Sequence, residues 1–113
     1  MSRGKDIARL EALSRLVLDH RLALLRKAAE QRQQSQMQLA ALERNEGPSG
    51  LDAVAAGQVA LRYQRWADVR RTELNAVLAR QTAAWLDARH DAQRAFGQAE
   101  ALAKLAERLG RKG

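Results

Sequence analysis

The chain has 113 residues, a formal net charge of +7 and 46% hydrophobic residues. This length suits one small domain, and the hydrophobic content excludes a disordered chain. There is no cysteine, which excludes disulfides and cysteine-based zinc sites. No apolar run approaches the roughly 18 residues that cross a bilayer, and we expect neither a membrane span nor a secretory signal. Because the apolar residues are mainly Ala and Leu, the composition predicts an all-α fold.

The first predicted helix, arm 1, covers about residues 4–46 and has a wide apolar face made of two stripes. Such a face suits packing against more than one neighbour. The glutamine-rich stretch 31–38 lies inside this arm and is interpreted as helix, because Gln is a good helix former. We expect Gln31 and Gln38 near the contact with the second arm. One stripe consists of Ile7, Leu10, Leu13, Val17 and Leu24, and the other of Leu18, Leu22, Leu25 and Ala29.

One break interrupts the helical pattern, at NEGPSG, residues 45–50. Gly47 can end a helix and Pro48 cannot continue one, which predicts a loop at about residues 47–51. Ser49, followed three residues later by Asp52, resembles the start of a second helix. Gly57 is a second weak point, which leaves open a short helical turn at 51–56 within an extended connection.

The second predicted helix, arm 2, covers about residues 52–110 and carries a sustained heptad seam in which Trp85 is interpreted as a core residue. A single turn between two long helices predicts one domain, residues 1–113, folded as a long antiparallel two-helix coiled-coil hairpin. The predicted seam consists of Arg71, Leu74, Leu78, Gln81, Trp85, Ala88, Ala92, Ala95, Ala99, Leu102, Ala106 and Leu109.

A bend near residue 50 predicts that residues facing each other across the hairpin have numbers that sum to about 100. Ala88, Ala92 and Ala95 would then face Ile7, Leu10 and Leu13. Because arm 2 is the longer arm, its end is expected to lack a partner, around Leu102, Leu105 and Leu109. A two-helix hairpin covers one side of each helix, and we expect a partner or a second copy to complete the core.

The sequence shows no catalytic, cofactor-binding or metal-binding constellation. His20 and His90 are the only histidines, and neither lies in a ligand motif. The segment GPSG at residues 47–50 lacks the Lys-Ser/Thr of a phosphate-binding loop. We therefore expect a protein that is not an enzyme and that needs no cofactor.

Tyr63, Trp66 and Arg70 share one face of arm 2 by their helical spacing. Aromatic residues and Arg are typical of protein-binding hot spots, which is one interpretation of this face. The other is that Trp66 packs across the hairpin onto Leu39 or Leu42, and both stay open. Interspersed acidic residues disfavour specific nucleic-acid binding by the same group.

These features together resemble the FliJ/YscO family, the stalk proteins of flagellar and virulence type III export. The resemblance is carried by QQSQMQLAAL at 33–42, the hairpin break, YQRW at 63–66, and the Ala/Leu/Arg-rich second arm with Trp85. YQRW is similar to the tyrosine-glutamine-x-aromatic stretch that follows the loop in flagellar members. The resemblance covers nearly the whole chain.

The resemblance implies a coiled coil that inserts into the hexameric export ATPase and promotes its assembly and activity, without hydrolysing ATP itself. It also implies contact with the cytoplasmic domain of the export gate through Tyr63, Trp66 and Arg70, escort of export chaperones, and a cytoplasmic location peripheral to the inner face of the membrane. We predict that the ATPase contacts the basic end of the hairpin. Its residues are Arg3, Lys5, Arg9, Arg108, Arg111 and Lys112.

The alternative is a self-associating helical adaptor, in which two hairpins form a four-helix bundle with no export role. A basic hairpin that binds nucleic acid is a third and weaker hypothesis.

Overall fold

The computed structural model describes residues 2–44 and 52–112, without the side chain of Lys112. It has two helices, α1 at Ser2–Arg44 and α2 at Ala53–Lys112, and no strand within the described residues. The predicted all-α fold of two long helices is confirmed. The predicted break at 45–50 and the predicted loop at 47–51 lie outside the described residues, as do residues 45 and 46 of arm 1.

Asp52 caps the start of α2. The backbone N–H of Ala55 donates to Asp52 Oδ1 at 2.7 Å, and the N–H of Ala56 donates to the Asp52 carbonyl at 2.7 Å. This satisfies donors that a helix start would leave without partners. Helix α2 continues through Gly57, so the alternative of a short turn at 51–56 in an extended connection is wrong. One helical glycine costs only about 1 kcal/mol relative to alanine, and the alanines around it favour helix.

The chain divides into two compact units, each built from part of α1 and part of α2. The first unit comprises residues 1–29 and 84–113, and the second comprises residues 30–83. In the first unit Arg21 donates to Asp91 at 3.5 Å. In the second, Arg32 donates to Thr82 at 3.0 Å and Ser35 donates to Gln81 at 2.6 Å. Ser35 follows Arg32 in α1, whereas its partner Gln81 precedes Thr82 in α2. The order of the partners is thus reversed, as antiparallel packing requires.

The predicted register is wrong by about two heptads. The residue numbers sum to 112 for Arg21 and Asp91 in the first unit, rather than about 100. Ala92 accordingly lines a groove with Leu18, Leu22 and Leu25, instead of facing Leu10. A heptad seam repeats every seven residues, so a slip of whole heptads again places seam residues opposite seam residues. Periodicity alone therefore could not choose the register.

The seam predicted for α2 is confirmed, because all twelve positions are buried or half-buried. Leu74, Ala92 and Ala95 are its most buried members, and Trp85 is half-buried. The glutamine-rich stretch is helical as predicted, but Gln31 and Gln38 are exposed. Helix α1 turns a different row toward α2, and that row mixes apolar and polar side chains. It consists of Ile7, Glu11, Ser14, Leu18, Arg21, Leu25, Ala28, Arg32, Ser35, Leu39 and Leu42.

The end of α2 is not without a partner, contrary to the prediction for Leu102, Leu105 and Leu109. In the first unit, Ala106 and Leu109 line a groove with Gly4 and Ile7 of α1. The two helices contribute almost equal lengths to this unit. The end of α2 therefore has a partner in α1, because the register differs from the prediction.

Candidate functional site

Trp66 is the most exposed aromatic ring of the second unit, with 55% of its surface accessible. The Tyr63 ring lies beside it, with a centroid distance of 5.7 Å and a tilt of 44° between the rings. One turn further on, Arg70 Nη1 donates to Glu73 Oε2 at 3.3 Å, and the Arg70 side chain keeps 43% of its surface accessible. The structure thus brings Tyr63, Trp66 and Arg70 together on one face of α2, as the spacing predicted.

Tyr63, rather than Trp66, lies against α1. Tyr63 is half-buried and lines a groove of about 590 Å³ together with Leu42 of α1. Trp66 does not line this groove, and its exposure does not support the interpretation that it packs across the hairpin. Trp66 is thus a large amphipathic ring that contacts one neighbouring ring and keeps most of its surface accessible. Protein-binding hot spots typically have such residues.

The groove beside Tyr63 was not predicted from the sequence. Glu43 and the ion pair of Arg71 with Asp68, at 2.7 Å, supply its polar lining, and Leu42 with Ala67 supplies apolar surface. The Tyr63 hydroxyl is buried and has no hydrogen-bond partner among the described residues. A buried hydroxyl without a partner costs about 1–3 kcal/mol. Sequence reasoning missed this groove because it depends on the register between the helices.

Exposed apolar residues extend the surface of α2 around Trp66. Val69 lies one turn after Trp66 on the same face and is 61% exposed, while Leu61 is 50% exposed on a different face, and both lie outside the heptad seam. The signal that could have revealed them is their position away from the seam in an otherwise amphipathic helix. They give this part of α2 more apolar surface than the aromatic pair alone.

The basic residues predicted to contact an ATPase lie at one end of the first unit. Gly4, Ile7 and Ala8 of α1 line a groove with Ala106 and Leu109 of α2, which places the start of α1 beside the end of α2. The structure thereby brings together the helix ends that carry these residues, although nothing is described of the side chain of Lys112. The end carries Arg3, Lys5, Arg9, Arg108, Arg111 and Lys112.

The local electrostatics differ between the two helix termini at this basic end. Arg111 at the end of α2 pairs with Glu107, and a cation is favourable at a helix C-terminus. Arg3 and Lys5 lie at the start of α1, where no acidic residue occupies the first turn. A cation there faces the positive end of the helix dipole. Arg3 and Lys5 therefore do not stabilise α1, and they are available to an acidic partner.

The described residues contain no group of His, Cys, Asp or Glu that could hold a metal ion. His90 lies 3.3 Å from an Arg94 guanidinium nitrogen, and His20 is exposed on α1. Within residues 2–44 and 52–112, neither helix has an apolar stretch that could span a membrane. The surface around Trp66 and the basic end are the two candidate functional sites.

Comparisons of this chain with protein-family models, with curated proteins and with solved structures each found no match. The resemblance to the export stalk family therefore stays a prediction from the sequence.

Proposed function

We propose that this chain is a non-enzymatic stalk protein that couples the ATPase of a flagellar or type III export apparatus to its export gate. Its coiled coil would insert into the hexameric ATPase and promote assembly and ATP hydrolysis. It would act in the cytoplasm, peripheral to the inner face of the membrane, and would also escort export chaperones.

The observation that carries this proposal is the exposed Trp66, held against Tyr63 on a two-helix coiled coil. A tryptophan that is more than half exposed contributes little to the stability of its own chain, and burial in a partner would make it a strong anchor. Arg70 beside it offers hydrogen bonds to the same partner. We assign this face to the export gate.

The basic end supports a second contact, with the ATPase. Arg3, Lys5 and Arg9 lie beside the end of α2, and Arg3 and Lys5 occupy a helix start that they do not stabilise. An acidic surface on the ATPase would complement these charges and would increase the association rate.

The first test is a pull-down with the export ATPase of the same organism, followed by its ATP hydrolysis rate with and without this chain. We expect binding and faster hydrolysis. Reversing the charge of Arg9 and Arg108 together should reduce the stimulation, whereas Arg65→Glu, at an exposed position of the second unit, should leave it unchanged. No binding and no stimulation by the wild-type chain would refute the proposal.

The gate contact is tested separately, with the purified cytoplasmic domain of the export gate. Trp66→Ala should weaken binding at least tenfold, because hot-spot truncations cost about 2 kcal/mol or more. Leu61→Ala is the matched control, since Leu61 is also exposed and lies on a different face of α2. Equal affinities of the two variants would remove Trp66 from the gate contact while leaving the ATPase contact untouched.

The alternative function, a self-associating adaptor without an export role, predicts no response of the ATPase at all. The hydrolysis assay therefore distinguishes the two functions directly.

A further inference from the structure

Helix α1 carries a second heptad stripe in the first unit, on a face that α2 does not cover. We call it the outer stripe, and every one of its members is exposed. Leu10, Leu13, Val17 and Leu24 keep between 39% and 57% of their surface accessible. The spacing alternates strictly between four and three residues, as in a coiled-coil seam. The outer stripe consists of Asp6, Leu10, Leu13, Val17, His20, Leu24 and Lys27.

The outer stripe is at least as apolar as the row that α1 turns toward α2. In the first unit that inner row includes Glu11, Ser14 and Arg21, so three of its positions are polar. The four large apolar residues of the outer stripe stay at the surface instead. An exposed stripe of this kind on a folded chain marks an interaction surface, and heptad spacing is complementary to another helix with the same spacing.

The charges at the two ends of the outer stripe favour a second copy of the stripe in antiparallel orientation. Asp6 lies at one end and Lys27 at the other, and neither takes part in an ion pair within the described residues. In a parallel pair of outer stripes, like charges would stack on like charges. In an antiparallel pair, Asp6 of each copy approaches Lys27 of the other. A two-fold axis near Val17 then also places Leu10 against Leu24 of the second copy.

We propose that the outer stripe binds the outer stripe of a second copy of this chain, in antiparallel orientation. The contact is isologous, because each copy contributes the same surface. The outer stripe covers about 32 Å of helix at 1.5 Å per residue. A single helix pair of this length buries less than the roughly 800 Å² per partner of a standard interface. The dimer is therefore weak and reversible, and its population rises with concentration. The inference does not depend on the export role.

The test is sedimentation velocity of the full chain, from low to high micromolar concentration. We expect a reversible shift from monomer to dimer. Leu13→Gln should raise the dimer dissociation constant at least tenfold, because it removes a large apolar side chain from the interface twice per dimer. Leu86→Gln is the matched control, since Leu86 is also about half exposed but lies on α2. It should leave the dissociation constant unchanged, and circular dichroism should show equal helicity for all variants.

A charge exchange tests the antiparallel orientation. Asp6→Lys and Lys27→Asp should each weaken the dimer several-fold, because each replaces two attractive pairs by two repulsive ones. The double variant Asp6→Lys with Lys27→Asp restores the pairs and should return the dissociation constant to the wild-type value. High salt should reduce these differences.

Two outcomes would overturn the proposal. One is a wild-type chain that stays monomeric at every concentration, which would assign the outer stripe to a different protein. The other is a dimer that Leu86→Gln weakens as much as Leu13→Gln. A double charge variant that dimerises no better than the single variants would overturn the antiparallel orientation.

Discussion

The two units of this chain are held together by different chemistry. In the first unit, the side chains of Ala92 and Ala95 are buried, and small residues in a seam allow two helix backbones to approach closely. In the second, Ser35 is buried with its hydroxyl bonded to Gln81, and Arg32 bonds to Thr82. The second unit also buries Ala67 and Leu74, so it combines apolar packing with a buried hydroxyl that is hydrogen-bonded between the helices.

The units also differ in how α2 uses its two tryptophans. In the first unit Trp85 is half-buried in the seam, and the Arg89 guanidinium lies over its ring, 5.7 Å from the centroid. In the second unit Trp66 is 55% exposed and contacts the Tyr63 ring. Trp85 thus contributes to packing between the helices, whereas most of the Trp66 surface stays accessible.

The largest expected effect follows from Leu74→Ala in the second unit. Leu74 is 3% exposed and is the one large apolar side chain that is buried among the described residues. Its truncation leaves a cavity, and we expect a loss of about 2–4 kcal/mol in the free energy of unfolding, measured by urea denaturation at fixed protein concentration. Leu61→Ala, at an exposed position of the same unit, should cost less than about 1 kcal/mol. Equal losses would contradict the assignment of Leu74 to the core.

Overpacking tests the first unit. Ala95→Leu adds a branched side chain at a position that is only 4% exposed, and it should reduce the free energy of unfolding by about 1–3 kcal/mol. Ala101→Leu is the same change at an exposed position of α2, where no packing is disturbed. Thermal denaturation of both variants measures the difference. A tolerated Ala95→Leu would show that close packing does not hold this unit.

The polar contact of the second unit is tested by Ser35→Ala. This change leaves the Gln81 carbonyl oxygen without its donor, and we expect a loss of about 1–2 kcal/mol in the free energy of unfolding. Combining it with Gln81→Leu should recover much of the loss, because no polar group is then left unpaired. Ser14→Ala is the control, since the Ser14 hydroxyl bonds only within its own helix, to the Glu11 carbonyl. A loss as large for Ser14→Ala would count against a special role for Ser35.

The smallest expected effect is a gain in stability from Gly97→Ala. Gly97 lies within α2 in the first unit, and a Cβ there would meet nothing within 4 Å. We expect about 0.5–1 kcal/mol of added stability from helix propensity alone. Gly57→Ala should give a smaller gain in the global unfolding transition, because Gly57 lies near the start of α2, where helices fray. Differential scanning calorimetry of both variants measures the two gains, and equal gains would show that the start of α2 unfolds with the rest.

The seam of α2 was predictable because a single heptad pattern runs from Arg71 to Leu109, with no second apolar stripe of similar spacing beside it. Helix α1 was harder, because it contains two apolar stripes with similar spacing. The stripe of Leu18 and Leu25 turned out to face α2, while Leu10 and Leu13 stay exposed. Of the candidate sites, the shared face of Tyr63, Trp66 and Arg70 followed from helical spacing. The groove beside Tyr63 did not, because it needs residues from both helices in a particular register.

The sequence by itself determined the two helices, the seam of α2 and the helical state of the glutamine-rich stretch. These features follow from local propensity and from the period of the apolar residues, which need no knowledge of the partner helix. Only the tertiary structure decided the register and the face of α1 that meets α2. It also decided that the end of α2 has a partner in α1. Those choices depend on side chains that meet across the hairpin, such as Arg21 with Asp91 and Ser35 with Gln81, because a repeating seam is compatible with several registers.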